Sequence, residues 1–291
     1  MILGSHNSPV YALCRGNLES QVFSGGGDGL VALWDIERSE QLPFVVRTEA
    51  PVFSLFFEVE SNVLFIGCSN GKLHAINVAT KSEVKAWELD VNGIFDMKPD
   101  TSRKRLLVAG GAGILSVIDL LELKVIRSIP LSGGKLRRIA IRPENDLIAV
   151  ADNSGPVHVL DAENYQTVET IHAHEQGSMA VSWHPSKNVL ISGGKDALLR
   201  CWNMTDGYKQ VLHLAAHQSA IYDFLYHPGK NCFITCSRDK SIKWWDADTF
   251  DPLRKLDYQQ GGHKHSVNKL LDAGEFVISA SDDRQVLVTR A

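Results

Sequence analysis

Apolar and polar residues follow a simple pattern along most of this chain. Short runs of apolar and β-branched residues are separated by Gly, Asp, Asn and Pro. Within the runs the apolar positions recur every second residue, which is the period of a strand rather than of a helix. Asp28-Gly29 and Asn70-Gly71 are pairs that tight hairpin turns prefer. The pattern predicts many short strands joined by tight turns, without a convincing helix.

One arrangement of these runs recurs through the whole chain. It reads FSGGGDGLVALWD from Phe23, ISGGKDALLRCWN from Ile191 and ITCSRDKSIKWWD from Ile234. The equivalent turn residues are Asp28, Asn70, Ala112, Ser154, Asp196, Asp239 and Asp283. Their spacings are 42, 42, 42, 42, 43 and 44 residues, and so regular a period indicates a repeat architecture.

The length of the repeat selects the fold. A unit of this length holds three to four short strands, which form one antiparallel blade of a β-propeller. A kelch-type blade would need about 50 residues. We therefore predict an all-β fold, a single seven-bladed β-propeller with four-stranded antiparallel blades over residues 1–291. The predicted repeats cover approximately residues 6–47, 48–89, 90–131, 132–173, 174–216, 217–262, and 263–291 with 1–5.

The repeats resemble those of the WD-repeat propeller family over essentially the whole chain. The fifth and sixth repeats carry the family's landmarks most clearly. In the sixth they are His217, His227-Pro228, Asp239 and Trp245-Asp246. In that family a hydrogen-bond chain of His, Ser or Thr, Asp and Trp ties a blade together. The resemblance implies three complete structural chains, which are His6, Ser24, Asp28 and Trp34; His174, Ser192, Asp196 and Trp202; and His217, Thr235, Asp239 and Trp245.

The remaining repeats depart from this set. Repeat seven offers His265, Ser279 and Asp283 but has Thr289 in the place of Trp, so its chain is incomplete. Repeats two to four have lost most polar landmarks, and we expect them to rely on packing and to be less polar inside. The last repeat ends after its third strand. The resemblance implies that residues 1–5 supply the fourth strand and close the ring, which removes sheet edges.

Composition and charge narrow the class of protein. A hydrophobic content of 44% can fill a sizeable core, and a net charge of −4 lacks the basic excess typical of nucleic-acid binding. The five cysteines are an odd number without a CxxC pair, which favours reduced thiols inside a cell. The first residues do not resemble a signal peptide, and no apolar stretch is long enough to cross a membrane. We expect a cytoplasmic protein without a membrane partner.

Patterns that carry catalysis or bind metals are weak here. The glycines of residues 25–29 precede no helix, and neither Gly134-Lys135 nor Gly194-Lys195 is followed by the Ser or Thr of a P-loop. His172 with His174, and His263 with His265, have a usable metal-ligand spacing. However, no Cys or carboxylate completes a four-ligand set. We therefore predict no catalytic residue, no metal, no cofactor and no enzymatic activity.

Partners of WD-repeat propellers usually bind the face around the central channel, where the inner strands begin. The predicted starts of these strands are Val10, Val52, Ile94, Leu136, Ser178, Ile221 and Val267. The residues that follow them are Tyr11, Phe53, Phe95, Arg137, Met179, Tyr222 and Asn268. Tyr and Arg are typical of binding hot spots. We predict a partner-binding set of Tyr11, Phe53, Phe95, Arg137, Met179, Lys195, Tyr222 and Arg238.

Several hypotheses about function remain open at this stage. The aromatic residues could instead be wedges between neighbouring blades. The favoured hypothesis is a non-catalytic scaffold, a monomer within a larger complex, that binds a peptide or protein with an acidic group near Arg137, Lys195 and Arg238. The alternatives are a nucleic-acid or phospho-ligand module that uses the same three cations, and, less favoured, a propeller enzyme. A steep salt dependence of binding would indicate nucleic acid.

Overall fold

The fold is built almost entirely from short β-strands. In a computed structural model the backbone is described from residue 1 to residue 291, and side chains are described for all residues except Ser5 and Pro143. The strands are β1 (Ile2–Ser5), β2 (Val10–Arg15), β3 (Gln21–Gly26), β4 (Leu30–Asp35), β5 (Glu40–Arg47), β6 (Val52–Glu58), β7 (Val63–Cys68), β8 (Lys72–Asn77), β9 (Ser82–Glu88), β10 (Ile94–Asp100), β11 (Arg105–Gly110), β12 (Ile114–Asp119), β13 (Lys124–Pro130), β14 (Leu136–Arg142), β15 (Leu147–Asp152), β16 (Val157–Asp161), β17 (Thr167–Ile171), β18 (Ser178–Trp183), β19 (Val189–Gly194), β20 (Leu198–Asn203), β21 (Lys209–Ala215), β22 (Ile221–His227), β23 (Cys232–Ser237), β24 (Ile242–Asp246), β25 (Pro252–Leu256), β26 (Val267–Ala273), β27 (Phe276–Ser281) and β28 (Gln285–Arg290). Helical structure in the described backbone is limited to short 3-10 turns at Pro143–Asn145, Met204–Asp206, Pro228–Lys230 and Tyr258–Gln260.

The strands form seven antiparallel sheets of four strands each. Blade 1 contains β2–β5, and β6–β9, β10–β13, β14–β17, β18–β21 and β22–β25 form blades 2 to 6 in chain order. Blade 7 contains β26, β27, β28 and β1. The predicted seven-bladed β-propeller is therefore confirmed. The inner strand of each blade begins at the residue predicted from the sequence, from Val10 in blade 1 to Val267 in blade 7.

The N-terminal strand completes the last blade and closes the ring. Strand β1 pairs antiparallel with β28, with Ile2 opposite Leu287. The first amino group donates to the carbonyl oxygen of Val288 at 2.8 Å. Leu3 is buried in a core cluster shared by blades 1 and 7, and a side chain at Gly4 would collide with the ring of Trp34. The expectation that residues 1–5 supply the missing strand is confirmed.

The strands fall into two compact units, each with its own core. The first unit comprises residues 1–89 and 224–291, and the second comprises residues 90–223. In the first unit the ring of Phe23 lies 5.4 Å from those of Phe44 and Phe57, which joins blades 1 and 2. In the second unit Trp183 and Trp202 of blade 5 share a core cluster with apolar residues of blade 4.

Burial falls from the inside of a blade to its outer strand. In blade 2 every residue of β7 is buried, whereas nearly every residue of β9 is exposed. The second strand of a blade packs on both faces, so its sequence, VLFIGC, is a nearly continuous apolar run. The outer strand faces water and carries the charged sequence SEVKAWE. Six of the eight candidate binding residues lie at the opposite side of a blade, on its inner strand, whereas Lys195 and Arg238 directly follow the second strands β19 and β23.

Candidate functional site

Two blades contain the full hydrogen-bond chain that the sequence implies. In blade 1 the indole N–H of Trp34 donates to Ser24 Oγ at 2.7 Å, and Ser24 Oγ lies 2.8 Å from His6 Nε2. The other ring nitrogen of His6, Nδ1, lies 3.1 Å from Asp28 Oδ1. Because a carboxylate only accepts, Nδ1 carries the proton and Nε2 accepts from the serine hydroxyl.

Blade 5 repeats this geometry with its own residues. His174 Nε2 and Trp202 Nε1 each lie 2.9 Å from Ser192 Oγ, and His174 Nδ1 lies 2.9 Å from Asp196. In blade 6 Trp245 donates to Thr235 Oγ1 at 2.9 Å and Asp239 accepts from the Ser241 amide. The part played there by His217 stays a prediction.

Blade 7 uses a different histidine from the one predicted. His263 places Nε2 2.9 Å from Ser279 Oγ and Nδ1 2.9 Å from Asp283 Oδ2, and its side chain is fully buried. His265 is exposed, so its assignment to this chain is wrong. The spacing between His and Ser is 16 residues in blade 7 but 18 in blades 1 and 5, because the hairpin from β26 (Val267–Ala273) to β27 (Phe276–Ser281) is shorter than its counterparts.

Blades 3 and 4 hold substitute networks that the sequence did not reveal. In blade 3 Asp90 stands where other blades have His, and it accepts from the amides of Asn92 and Ala112. In blade 4 the wholly buried Asp152 accepts from the Ser154 amide at 2.8 Å and lies 3.3 Å from His158 Nε2. The expectation that repeats two to four are less polar inside is therefore wrong for repeat four.

The carboxylates of these networks are held in their charged form. Burial raises the pKa of Asp283, but the hydrogen bond and charge of His263 and the amides of Lys264 and Gln285 outweigh it and lower the pKa to about 2. Asp196 is lowered to about 2 in the same way by His174 and Arg200. These carboxylates therefore stay charged at neutral pH and hold together the residues of their own blades.

The predicted partner-binding positions share a feature that the sequence did not reveal. In six blades the pairing register between the inner strand and its neighbour shifts at the second residue of the inner strand. The residues at these shifts are Tyr11, Phe53, Phe95, Arg137, Met179 and Asn268. A bulge leaves one residue out of the ladder and re-aims its side chain, which often serves a functional site.

In the first unit two of these residues contact each other. The rings of Tyr11 and Phe53 pack edge to face with centroids 5.3 Å apart, and both side chains are half-buried. Burial, with a smaller contribution from Asp282, raises the pKa of Tyr11. Asn268 turns inward and donates to the Val10 carbonyl at 2.9 Å and to Asp282 at 2.8 Å. Tyr11 and Phe53 thus form a partly exposed aromatic pair.

In the second unit Arg137 lies over an aromatic ring without a carboxylate partner. Its guanidinium carbon is 4.4 Å from the Phe95 ring centroid, and Lys135 Nζ is 5.5 Å from the same centroid. Among the described residues, Arg137 Nε is buried and has no hydrogen-bond partner. Burial and then the charge of Arg138 lower the pKa of Arg137 to about 10, while Tyr222 and Asp96 act in the opposite direction.

The neighbouring Arg138 has a structural role that sequence reasoning missed. Its Nε donates to Asp223 Oδ1 at 3.1 Å and its Nη1 donates to the Phe95 carbonyl at 3.3 Å. Asp96 Oδ2 accepts from the Ile139 amide at 2.9 Å. A signal was present in the sequence, because the third residue of the inner strand is Asp96, Arg138 or Asp223 in blades 3, 4 and 6 but is uncharged in blades 1, 2 and 5 (Ala12, Ser54 and Ala180), with Lys269 in blade 7.

The other predicted binding residues differ in exposure. Met179 is 5% exposed and packs inside the second unit, so it presents little surface. Lys195 is exposed, and its amide donates to the Gly177 carbonyl at 3.0 Å. Arg238 is exposed and belongs to the first unit. Within the second unit the structure therefore groups Phe95, Arg137 and Tyr222, with Lys135 as an addition.

Other kinds of site find little support in the described part of the chain. Among those residues no group of three or more His, Cys, Asp or Glu side chains could hold a metal ion. Within the described residues, no helix is long and apolar enough to cross a membrane. A cavity of about 600 Å³ in the first unit is lined by His227, Lys230, Asp272, Glu275 and Arg290 among others. This cavity lies near the C-terminal ends of the inner strands β22 and β26, whereas the bulges lie at the starts of inner strands.

Comparisons with known proteins agree with this architecture. Three segments, residues 1–35, 165–203 and 208–246, match the family described as WD domain, G-beta repeat. Similar proteins include autophagy-related protein 16 of Arabidopsis thaliana (21% identical), transcription factor unc-37 of Caenorhabditis elegans (21%) and protein groucho of Drosophila melanogaster (24%). The alignments cover 69%, 69% and 63% of this chain but 40%, 28% and 25% of those relatives. The matched repeats, the seven four-stranded blades and the His–Ser–Asp–Trp chains together identify the chain as a seven-bladed β-propeller that contains WD repeats.

Proposed function

We propose that this protein is a non-catalytic protein-interaction platform that binds a peptide or protein at the starts of its inner strands. Proteins with WD-repeat propellers are generally non-catalytic scaffolds, and three segments of this chain match the WD repeat. The bulged residues at these strand starts present aromatic and cationic side chains. Residues of these types contribute most of the binding energy in many protein interfaces.

The observation that carries this proposal is the setting of Arg137. A half-buried guanidinium that lies on a ring and lacks a carboxylate partner is left incompletely satisfied within the chain. A structural arginine normally resembles its neighbour Arg138, which is bound to Asp223 and to a backbone carbonyl. The contrast between two adjacent arginines favours a partner, outside the described chain, that completes the environment of Arg137.

The wedge hypothesis accounts for part of the set. Met179 and Asn268 are packed or bonded inward, and we assign them a structural role. The Tyr11–Phe53 pair and the Phe95–Arg137 pair keep exposed area, and we assign those residues to the partner. The proposed binding set is therefore smaller than the set predicted from the sequence.

We further propose a cytoplasmic protein that acts as a monomer within a larger complex. All five cysteines are buried and unpaired, as a reducing compartment requires. Nucleic acid is a weaker candidate for the partner, because the net charge is −4 and Asp96 and Asp223 lie beside the cations. A binding constant that falls steeply with salt would support nucleic acid instead.

The proposal is tested by comparing what folded variants retain from an extract of the source cells. Phe53→Ala and Phe95→Ala remove one aromatic residue from each unit, and Val211→Ala removes an exposed side chain from the outer strand β21 as the matched control. We expect at least one protein to be retained by the wild type and by Val211→Ala but lost with both aromatic variants. That protein is then purified and its binding to each variant is measured directly.

A retained set that is the same for all four proteins would contradict the proposed surface. Circular dichroism and thermal melts establish beforehand that each variant is folded. A partner lost only with Val211→Ala would move the binding surface to the outer strands.

A further inference from the structure

The Phe95–Arg137 pair also indicates what kind of group the partner presents, an inference that rests on the proposed function. Arg137 has its guanidinium 4.4 Å from the Phe95 centroid, and its Nε lacks a hydrogen-bond partner among the described residues. The ring contact holds the planar group in place but satisfies none of its N–H donors. What the site lacks is therefore an acceptor.

Carboxylates at these strand ends of the second unit are committed to other groups. Asp223 accepts from Arg138, and Asp96 accepts from the Ile139 amide. Asp196 binds His174 and Arg200. None of these four carboxylate contacts involves Arg137. The acceptor for Arg137 must then come from outside this set.

Two lysines extend the positive charge around Arg137. Lys135 Nζ also lies over the Phe95 ring, and the Lys135 carbonyl oxygen accepts from the Asn153 amide at 2.9 Å. Gly177 packs against the Asn153 carbonyl and accepts at its own carbonyl from the Lys195 amide. Backbone contacts of Asn153 and Gly177 therefore connect Lys135 to Lys195, and both lysine side chains are exposed.

We propose that Arg137 and Lys135, over Phe95, bind the side-chain carboxylate of a Glu or Asp in the partner peptide, with Lys195 next to the same acidic segment. Guanidinium and carboxylate match as two parallel hydrogen bonds, and the stacked ring keeps the guanidinium in the required plane. A half-buried site strengthens the attraction because fewer water molecules screen it. Asp96 and Asp223 beside Arg138 keep the total positive charge modest, which disfavours a polyphosphate chain.

The test measures binding of a fluorescent hexaglutamate peptide to the full chain, with hexaglutamine as the neutral probe. We expect hexaglutamate to bind and hexaglutamine not to bind. Arg137→Gln should weaken hexaglutamate binding by about tenfold or more, the loss expected for one charge-assisted pair. Arg137→Lys should restore only part of that loss, because lysine cannot form the two parallel bonds.

Two further variants separate binding from folding. Lys135→Gln changes an exposed side chain, so it should leave the melting temperature unchanged and still weaken hexaglutamate binding a few-fold. Lys209→Gln removes a cation from the outer strand β21, 72% exposed at its side chain, and should leave binding unchanged. Equal losses from Lys209→Gln and Lys135→Gln would overturn the proposal, because binding would then follow total charge rather than this site.

Other outcomes would also overturn the carboxylate assignment. Failure of hexaglutamate to bind, or unchanged binding by Arg137→Gln, would do so. A hexaphosphoserine peptide or a single-stranded oligonucleotide that binds much more tightly than hexaglutamate, with the same loss in Arg137→Gln, would assign the site to phosphate. If Phe53→Ala and Phe95→Ala still lose a cellular partner in any of these cases, the proposed function stands and only the ligand class is wrong.

Discussion

At the scale of single residues, one hydroxyl organises each complete hydrogen-bond chain. Ser24 in blade 1 and Ser192 in blade 5 each accept from a Trp indole and contact a His ring nitrogen, and both are fully buried. Trp, Ser, His and Asp are four polar groups that would be costly to bury singly. When the four groups are linked in this order, each one is a hydrogen-bond partner of the next. This is why the same four residue types recur at fixed spacing.

Residue identity alone could predict these chains in blades 1 and 5 but not in blade 7. Both His263 and His265 stand near the right place in the sequence, and counting back from Ser279 does not select between them because the β26–β27 hairpin is shorter than those of blades 1 and 5. The Asp152–His158 pair of blade 4 uses positions displaced from the usual ones, so matching against a fixed pattern cannot find it.

The histidine of blade 7 gives a direct test at this scale. His263→Ala removes the hydrogen bonds of this ring to the buried Ser279 hydroxyl and to Asp283, so the free energy of unfolding should fall by about 1–3 kcal/mol. His265→Ala, at an exposed neighbour, should change it by less than about 0.5 kcal/mol. Denaturant unfolding measures both. A larger loss from His265→Ala than from His263→Ala would refute the assignment.

The lowered pKa of Asp283 predicts how stability depends on acid. Its pKa is about 2 in the folded protein, below the value of about 3.9 for an unfolded Asp. The group therefore stabilises the fold above pH 4 and loses that contribution as pH falls toward 2. At most about 2.6 kcal/mol is involved, since the shift is about two pKa units and one unit corresponds to about 1.4 kcal/mol.

An Asp283→Asn variant isolates this contribution. We expect wild type to be more stable than Asp283→Asn at pH 6, and the difference to shrink steadily between pH 4 and pH 2.5. Denaturant titrations at several pH values measure it. A difference that stays constant or grows with acid would show that the charge of Asp283 does not stabilise the fold.

At the scale of strands, the pattern of the sequence was sufficient to locate the inner strands but not to find their bulges. Alternating apolar residues and turn pairs determine where a strand begins, and all seven starts agree with the structure. A bulge depends on the pairing of two strands, and no residue type marks it here, since Tyr, Phe, Arg, Met and Asn all occupy the position. The pairing of the strands therefore determines which side chains a partner could reach.

A single substitution in the closing strand β1 should have a large effect on the stability of the fold. Leu3 is 5% exposed and lies in the core cluster of blades 1 and 7, whereas its neighbour Ile2 is 52% exposed. Leu3→Ala should lower the free energy of unfolding by about 2–4 kcal/mol, the usual cost of a cavity in a core. Ile2→Ala should cost about 0.5 kcal/mol.

Deleting residues 1–5 should destabilise the fold further, because β28 would lose its partner strand. Thermal and denaturant unfolding of the three variants measure the order. Equal stability of Leu3→Ala and Ile2→Ala would mean that β1 does not hold blade 7 in the way described here.

At the scale of the whole molecule, the repeat period was enough to predict the architecture, and the binding surface depends on what individual blades do differently. Every blade has an inner strand, but Phe95, Arg137 and Tyr222 fall together in the second unit, and Tyr11 and Phe53 in the first. The prediction from the sequence assumed that the second residue of every inner strand is equally accessible to a partner. Burial of Met179 and the inward hydrogen bonds of Asn268 could not be read from residue types.

The measurement that tests the central claim most directly is site-specific photo-crosslinking to the purified partner. A photoreactive phenylalanine analogue replaces Phe53, Phe95 or, on the outer strand β21, Val211 in three separate proteins. We expect partner adducts from positions 53 and 95 and none from position 211. Adducts from position 211 alone, or equal yields at all three positions, would contradict binding at the starts of the inner strands.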